Sequence, residues 1–271
     1  MEHWHLLPHL TGIRLQGPDA QAFAHSQFTT AFSQDTPSGW GLTAWCNPKG
    51  RVISTLLARV EEQRVELVAP SCLGEVLAKR LPMYSIGRKV EISTGLTVGG
   101  RLDCRSQADH QIRVAGHRGL TLAPADARLD EAFIATWKAL DVCAGIVWLT
   151  STQSEQHIPQ ALGLQERQGL SFNKGCYPGQ EIVARVHYLG RAKQMLKGFR
   201  IRGATQDSIE DLIDAEALFD EGGAPVGAVV SAAMGSEGVI GLTVVGIDTS
   251  PDQVFRLGSH SGRLCDPGDL S

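Results

Sequence analysis

The sequence is short of the features that mark several common classes of protein. No uninterrupted apolar run approaches the roughly 20 residues that a membrane-spanning helix needs. The N-terminus lacks the basic and then apolar pattern of a secretory signal. Charged residues make up only 20% of the chain and the net charge is −4, which argues against a general nucleic-acid binder. We therefore expect a cytoplasmic protein with no membrane contact and no general, direct nucleic-acid binding.

Common catalytic and metal-binding motifs are also missing. The six cysteines form no CxxC pair, which argues against a structural zinc site or a protein-held cluster, so we expect no metal site and mostly reduced, buried thiols. Neither a Gly-x-Ser-x-Gly elbow nor a His-Glu-x-x-His motif occurs. The usual hydrolase and metalloprotease interpretations therefore have no support.

What is present predicts an α+β chain of three domains within its 271 residues. Residues 1–93 read as strand, helix, strands, helix and strand, an α+β domain. Residues 94–192 read as a second α+β domain, with a strand at Gln111–Ala115 and a helix at Asp130–Ala144. Residues 193–271 alternate short β-like runs with glycine turns, which predicts a small β-barrel.

Two local patterns stand out before residue 171. Leu42–Cys46 and Val52–Val60 predict paired strands around the turn Asn47-Pro48-Lys49-Gly50. Phe23 is the expected inward anchor of the helix that follows Gly17-Pro18.

A helix is predicted from Pro178 to Tyr188, because proline suits the start of a helix and Gly190 would end it. Glu181 and Arg185 are four residues apart, in the favourable order for an ion pair. The expected inner stripe of this helix is Ile182, Val186 and Leu189.

Cys176 precedes this predicted helix, with Lys174 two residues before it. Free amides and the positive end of a helix dipole favour a thiolate, so Cys176 is a candidate reactive cysteine. A cysteine that merely packs in a turn explains the same spacing. Between Ile182 and Gln206 the sequence has basic but no acidic residues, and acidic residues follow at 207–216. A solvated basic strand edge and a site for an anionic ligand both remain open there.

The stretch Lys174-Gly175-Cys176-Tyr177-Pro178-Gly179-Gln180-Glu181 resembles the signature of the YgfZ family. These are tetrahydrofolate-binding accessory proteins of iron–sulfur cluster assembly and repair, related in fold to the glycine cleavage T-protein, an aminomethyltransferase. The turn at Asn47–Gly50 and the stretches Ala144-Gly145-Ile146 and Ile158-Pro159-Gln160 also resemble this family. The resemblance implies a three-domain ring like the aminomethyltransferase folate-binding fold, with two mixed α/β domains and a small C-terminal β-barrel.

The resemblance also implies a folate site and iron–sulfur client enzymes, including tRNA-modifying ones. Trp137 matches the family's folate-side tryptophan, although a core residue of an amphipathic helix fits that position equally well. Cys176 is the implied catalytic residue. The implied folate-binding residues are Trp137, Lys174, Gly175, Tyr177, Gln180, Glu181 and Arg185.

Three functions remain open: a folate-binding accessory protein, a folate-dependent aminomethyltransferase, and a plain protein-interaction module. The resemblance also brings a difference: transferases of this fold carry a pair of aspartates after the hairpin turn, and this chain has Ser54 and Thr55 there. A hydroxyl cannot replace a carboxylate as a general base near neutral pH. The transferases also lack the signature cysteine, which is Cys176 here. Both differences favour the accessory protein.

Overall fold

The computed structural model of the protein describes residues 3–33, 36–105, 108–206, 209, 212, 217–220, 222–250, 253–257 and 260–270. The chain forms two compact units. The first comprises Met1–Asp130, Trp148–Pro159 and Leu164–Arg185, and the second comprises Glu131–Val147, Gln160–Gly163 and Val186–Ser271. The three-domain division stays a prediction. Across the described ranges, every helix is too short or too polar to cross a membrane.

The first unit contains two sheets and two short helices. Its strands are β1 (Trp4–Leu6), β2 (Leu10–Gln16), β3 (Gly41–Cys46), β4 (Val52–Glu61), β5 (Arg64–Pro70), β6 (Glu91–Leu96), β7 (Val98–Arg101), β8 (Gly119–Leu122) and β9 (Ala127–Arg128). Its helices are α1 (Ala20–Gln27) and α2 (Gly74–Arg80). The larger sheet is antiparallel, in the order β3-β4-β5-β2-β6.

The hydrophobic pattern of the larger sheet reflects burial on both faces. All of β3 and most of β4 are buried, which explains why these strands read as nearly continuous apolar runs. The helix α1 packs on β2 and β5 through a face that includes the fully buried Phe23. The predicted hairpin, the anchor role of Phe23 and the strand–helix order of this region are confirmed.

The second sheet has the order β8-β7-β1-β9, with β1 parallel to β9. The sequence did not predict β1 and β9, because neither strand exceeds three residues. The strand predicted at Gln111–Ala115 is wrong. Gln111 and Ile112 form only isolated bridges, to Gly119 and Trp40 respectively, and turns follow.

A buried ion-pair network crosses the larger sheet. Glu66 on β5 has a side chain only 3% exposed, and its two oxygens accept from Arg14 at 2.9 Å and from Arg59 at 2.5 Å. The guanidinium of Arg59 also lies 5.1 Å from the centroid of the Trp40 ring. A buried carboxylate is tolerable only with such partners, since desolvation alone would destabilise its charged form.

The second unit consists of one long helix and a closed barrel. The helix is α3 (Glu131–Cys143), and Gly145, with a φ of +66°, follows its end as predicted. The barrel strands are β10 (Gln194–Arg202), β11 (Ala217–Phe219), β12 (Pro225–Gly235), β13 (Gly238–Gly246), β14 (Val254–Leu257) and β15 (His260–Cys265). They close in the order β10-β13-β12-β11-β14-β15, which confirms the predicted barrel.

Two phenylalanines fill the barrel, and two glycines make room for them. Phe199 and Phe255 are fully buried and meet edge to face, with ring centroids 5.6 Å apart. A Cβ at Gly241 would lie 2.2 Å from the Phe199 ring, and one at Gly262 would lie 2.4 Å from the Phe255 ring. The many glycines of this segment therefore serve packing as well as turns.

The predicted basic segment is partly paired within this unit. Lys197 contacts Asp266 at 2.6 Å and Arg202 contacts Glu237 at 3.3 Å. These contacts favour a solvated strand edge at Arg202, whose side chain is 83% exposed, whereas the paired Lys197 side chain is only 13% exposed. The acidic stretch at 207–216 lies almost entirely outside the described residues.

The last helix of the signature region, α4 (Gln180–Leu189), differs from its prediction in three respects. It begins two residues after Pro178. Its buried residue is Val183, whereas Ile182 is 40% and Leu189 is 82% exposed, so the predicted inner stripe is wrong. The structure contains no ion pair between the described side chains of Glu181 and Arg185, which are both exposed.

Candidate functional site

The loop that carries the signature, residues 171–179, belongs to the first unit and is bonded to the segment that follows α1. The backbone nitrogen of Ser171 donates to the oxygen of Thr29 at 2.9 Å. The Thr29 hydroxyl donates in turn to the oxygen of Gly169 at 2.7 Å. These bonds hold the loop against the segment that follows α1.

Lys174 fixes the centre of this loop. Its half-buried ammonium group donates to the backbone oxygens of His25, Phe28 and Thr30 at 2.5, 2.5 and 2.9 Å. It also lies 5.0 Å from the centroid of the Tyr177 ring. Among the described residues no carboxylate pairs with it, and burial lowers the pKa of Lys174 to about 7. Since all three of its donors are in use, Lys174 holds the loop rather than reaching toward a ligand.

The signature and the predicted hairpin turn are in direct contact. Gly179 has a φ of +79°, and a Cβ there would lie 2.4 Å from the oxygen of Asn47 and 2.5 Å from the nitrogen of Gly50. The Asn47 side-chain oxygen accepts from the backbone nitrogens of Lys49 and Arg51 at 2.9 and 3.0 Å. A glycine at 179 is therefore required both by its backbone conformation and by this close approach.

Glu155 contacts the hairpin turn, although no sequence pattern identifies it as a residue of the site. One of its oxygens accepts from the Asn47 amide at 2.7 Å and the other from Arg80 at 2.9 Å. The pKa of Glu155 lies below its usual range, mainly because of the hydrogen bond from Arg80 and secondly because of the one from Asn47. Glu155 lies in a polar stretch without periodicity, so only the folded chain identifies its partners.

Cys176 is exposed on this loop, whereas Cys46 on β3 is fully buried and its burial raises the pKa of that thiol to about 12. Cys72 is also exposed, so the expectation of mostly buried thiols is only partly met. Cys176 lies four residues before the first residue of α4. The dipole of α4 therefore stabilises a Cys176 thiolate less than a helix beginning at Pro178 would, since the dipole effect fades within the first turn.

The remaining predicted site residues are in two places. Tyr177 is buried, and its hydroxyl has no hydrogen-bond partner among the described residues. Gln180 donates to the oxygen of Lys174 at 3.4 Å. Gly175, Glu181 and Arg185 are exposed in the same unit.

Trp137 belongs to the second unit, where it is fully buried and stacks on Phe133 with centroids 5.8 Å apart. A ligand ring reaches a fully buried indole only after its neighbours move. The folate role of Trp137 therefore stays a prediction.

His25 is a contact of this site that sequence reasoning missed. Its Nε2 accepts from the backbone nitrogen of Gly175 at 3.4 Å. His25 lies on α1, and no motif in the sequence connects it to the loop.

No family model matches the chain. A protein of Haemophilus influenzae described as uncharacterized is 31% identical over 257 residues, covering 90% of this chain and 89% of that protein. The tRNA-modifying protein YgfZ of Klebsiella pneumoniae is 28% identical over 286 residues, covering 92% and 87%. The protein of the same name from Escherichia coli O157:H7 is 28% identical over 287 residues, covering 93% and 87%.

The chain belongs to the YgfZ family. A solved structure supports the fold: the glycine cleavage system aminomethyltransferase T of Bartonella henselae matches with a TM-score of 0.72 at 15% identity. The match covers 99% of this chain and 86% of that one. The expected α+β fold of the aminomethyltransferase type, with a C-terminal barrel, is thus confirmed.

Proposed function

We propose that this YgfZ-family member is a tetrahydrofolate-binding accessory protein for the assembly or repair of iron–sulfur enzymes. Its clients would include tRNA-modifying enzymes, in keeping with the name that its relatives carry. The observation that carries the proposal is the exposed thiol of Cys176 on a loop that Lys174 bonds to the end of α1 and Gly179 packs against the hairpin turn.

The residues around Cys176 favour this role over a purely structural one. A loop whose backbone is held at several points keeps an exposed side chain in a defined place at little further entropic cost. The Cys176 thiol faces solvent from this loop and is open to a reaction partner, whereas Cys46 is buried and its burial raises the pKa of that thiol to about 12. The thiol of Cys176 would therefore bind the sulfur or the iron–sulfur cluster of a client enzyme, and that sulfur or cluster would be its substrate.

Some of the predicted folate residues fit the ligand better than others. Tyr177 offers a buried hydroxyl without a partner among the described residues, which suits a polar group of a pterin. The exposed guanidinium of Arg185 suits a glutamate carboxylate. Lys174 does not fit as a direct ligand, since its donors are occupied. Tetrahydrofolate, when bound, would supply a one-carbon group or reducing equivalents.

The second candidate is an aminomethyltransferase, which the fold alone permits. Transferases of this fold carry a pair of aspartates after the hairpin turn. In this chain the corresponding residues are Ser54 and Thr55, which are 0% and 1% exposed. The Ser54 hydroxyl donates to the oxygen of Thr55 at 2.9 Å. Two buried hydroxyls offer no general base near neutral pH, so the accessory role is the better proposal.

Folate binding is tested by calorimetric titration with tetrahydrofolate and by thermal unfolding at millimolar ligand. A free ligand concentration of about 100 times the Kd stabilises the folded state by about 2.7 kcal/mol, which thermal unfolding readily detects. The variant Arg185→Ala should weaken binding, and Arg128→Ala, which changes another exposed arginine of the first unit, should not. Absence of heat and of thermal shift with the unchanged protein would remove the folate part of the proposal.

The accessory role is tested by complementation of a strain that lacks the gene. The strain would be assayed for iron–sulfur enzymes, including tRNA-modifying ones, under oxidative stress. Cys176→Ser should fail to restore them, whereas Cys72→Ser, which changes the other exposed thiol, should restore them. Full activity with Cys176→Ser would show that the thiol is not the reactive group.

A further inference from the structure

His25 connects two segments that are far apart in sequence. Its Nδ1 lies 3.2 Å from both the backbone oxygen and the backbone nitrogen of Phe32. Its Nε2 lies 3.4 Å from the backbone nitrogen of Gly175, the residue before Cys176. The side chain is half-buried, so protons can reach it.

These distances select one tautomer of the neutral imidazole. With the proton on Nδ1, the ring donates to the oxygen of Phe32 and Nε2 accepts from Gly175, which makes two bonds. With the proton on Nε2, the ring N–H would point at the N–H of Gly175 and only the bond from Phe32 would remain. The first tautomer therefore satisfies more groups and holds the loop.

Protonation of the ring removes the acceptor that Gly175 needs. An imidazolium carries protons on both nitrogens, so Nε2 then faces the Gly175 amide as a second donor. Histidine side chains make this change between about pH 5 and pH 8. The bond next to Cys176 is consequently present or absent according to pH.

Lys174 also titrates in this range, because burial lowers its pKa to about 7, but its bonds go to the backbone oxygens of His25, Phe28 and Thr30 and not to the Gly175 amide. The loop that contacts His25 also carries the titratable side chains of Cys176 and Tyr177. The helix α1 carries no acidic residue, and no described carboxylate pairs with His25. When charged, Lys174 bonds the backbone oxygen of His25, so it brings no negative charge to this residue. Protonation of His25 therefore gains no counter-charge and loses its bond to the loop.

We propose that His25 is a pH-sensitive positioning residue for the loop that carries Cys176. The neutral ring fixes the Gly175 amide, and the protonated ring releases it. The proposal rests on the proposed function only in taking Cys176 as the reactive group. The bond to the Gly175 amide would thus form above neutral pH and be lost in mild acid.

Hydrogen exchange of the loop tests this directly. Exchange would be followed by mass spectrometry with fragmentation that resolves the Gly175 amide, at about pH 8 and about pH 5.5, with rates corrected for intrinsic chemistry. In the unchanged protein we expect protection of this amide to fall by about fivefold in acid, which corresponds to about 1 kcal/mol. His25→Gln should keep similar protection at both values, since its amide oxygen accepts without titrating. His25→Leu should show low protection at both.

The control is His117→Gln, which changes an exposed histidine of the same unit and should leave the pH dependence intact. Equal protection of the unchanged protein at both pH values would overturn the proposal. So would a pH dependence that persists in His25→Gln, a variant that decides the matter even if His25→Leu fails to fold. Neither result would bear on folate binding or on client enzymes, so the two proposals fail separately.

Discussion

Lys174 should give the protein a pH-dependent stability that a single substitution removes. Burial lowers the pKa of Lys174 to about 7 from the ordinary 10.5. Between these values the unfolded chain binds the proton more than the folded chain does, so stability rises as pH increases through this window. Below about pH 7 the full cost of burying the charge is present, and above about pH 10.5 it has disappeared.

The magnitude follows from the two pKa values. One unit of pKa difference corresponds to about 1.36 kcal/mol, and most of the window lies above pH 7. The unchanged protein should therefore gain about 2 kcal/mol relative to Lys174→Met between about pH 7 and about pH 9. Methionine replaces the unbranched aliphatic part of lysine without its terminal ammonium, so it carries no titrating group.

The assay is urea unfolding of both proteins at several pH values, with their difference in unfolding free energy plotted against pH. Lys79→Met is the matched control, since Lys79 has a side chain 76% exposed and should give a flat difference. A flat difference for Lys174→Met as well would refute the reasoning. It would mean that the three carbonyl bonds stabilise the ammonium as much as burial destabilises it.

Three further changes test the packing of the site and the core. Gly179→Ala should destabilise by more than about 2 kcal/mol, while Gly87→Ala, with the same φ of +79° but nothing within 4 Å, should cost about 1 kcal/mol; similar thermal shifts would contradict the close approach. Glu66→Gln should cost about 3 kcal/mol because it removes the charge that pairs with the buried Arg59 and leaves Arg59 with the partly exposed Glu61, at 3.0 Å, as its carboxylate partner. Glu75→Gln changes a side chain that is 88% exposed and should cost almost nothing, and equal urea midpoints would refute this. The lowered pKa of Glu155 contributes stability that is present above the ordinary carboxyl pKa and lost as pH falls through the folded value, so Glu155→Gln should lose less stability on acidification than the unchanged protein does.

Local sequence was sufficient for many elements because their causes are local. The turn at Asn47–Gly50 follows from the side-chain oxygen of Asn47 and a glycine with positive φ, all within a few residues. The end of α3 at Gly145 has the same kind of cause. The barrel was predictable as a class from its short strands and glycine turns, although β14 and β15 were not.

The failures concern which face of an element is buried. Helical spacing in α4 is compatible with several inner stripes, and the neighbours of the folded chain bury Val183 and leave Ile182 and Leu189 partly or largely exposed. Similarly, Gln111–Ala115 is apolar and polar in alternation, but without a partner strand it forms only bridges and turns.

The sequence by itself determined the α+β class, the hairpin turn and the segment that carries Cys176, because each depends on residue types at short spacing. Only the tertiary structure decided that Lys174 bonds three carbonyl groups in and just after the last turn of α1, that Gly179 meets the hairpin turn, and that His25 holds Gly175. Those contacts join residues more than 100 positions apart. Short-range patterns carry no record of such pairs, since the choice among them is made by the packing of the whole unit.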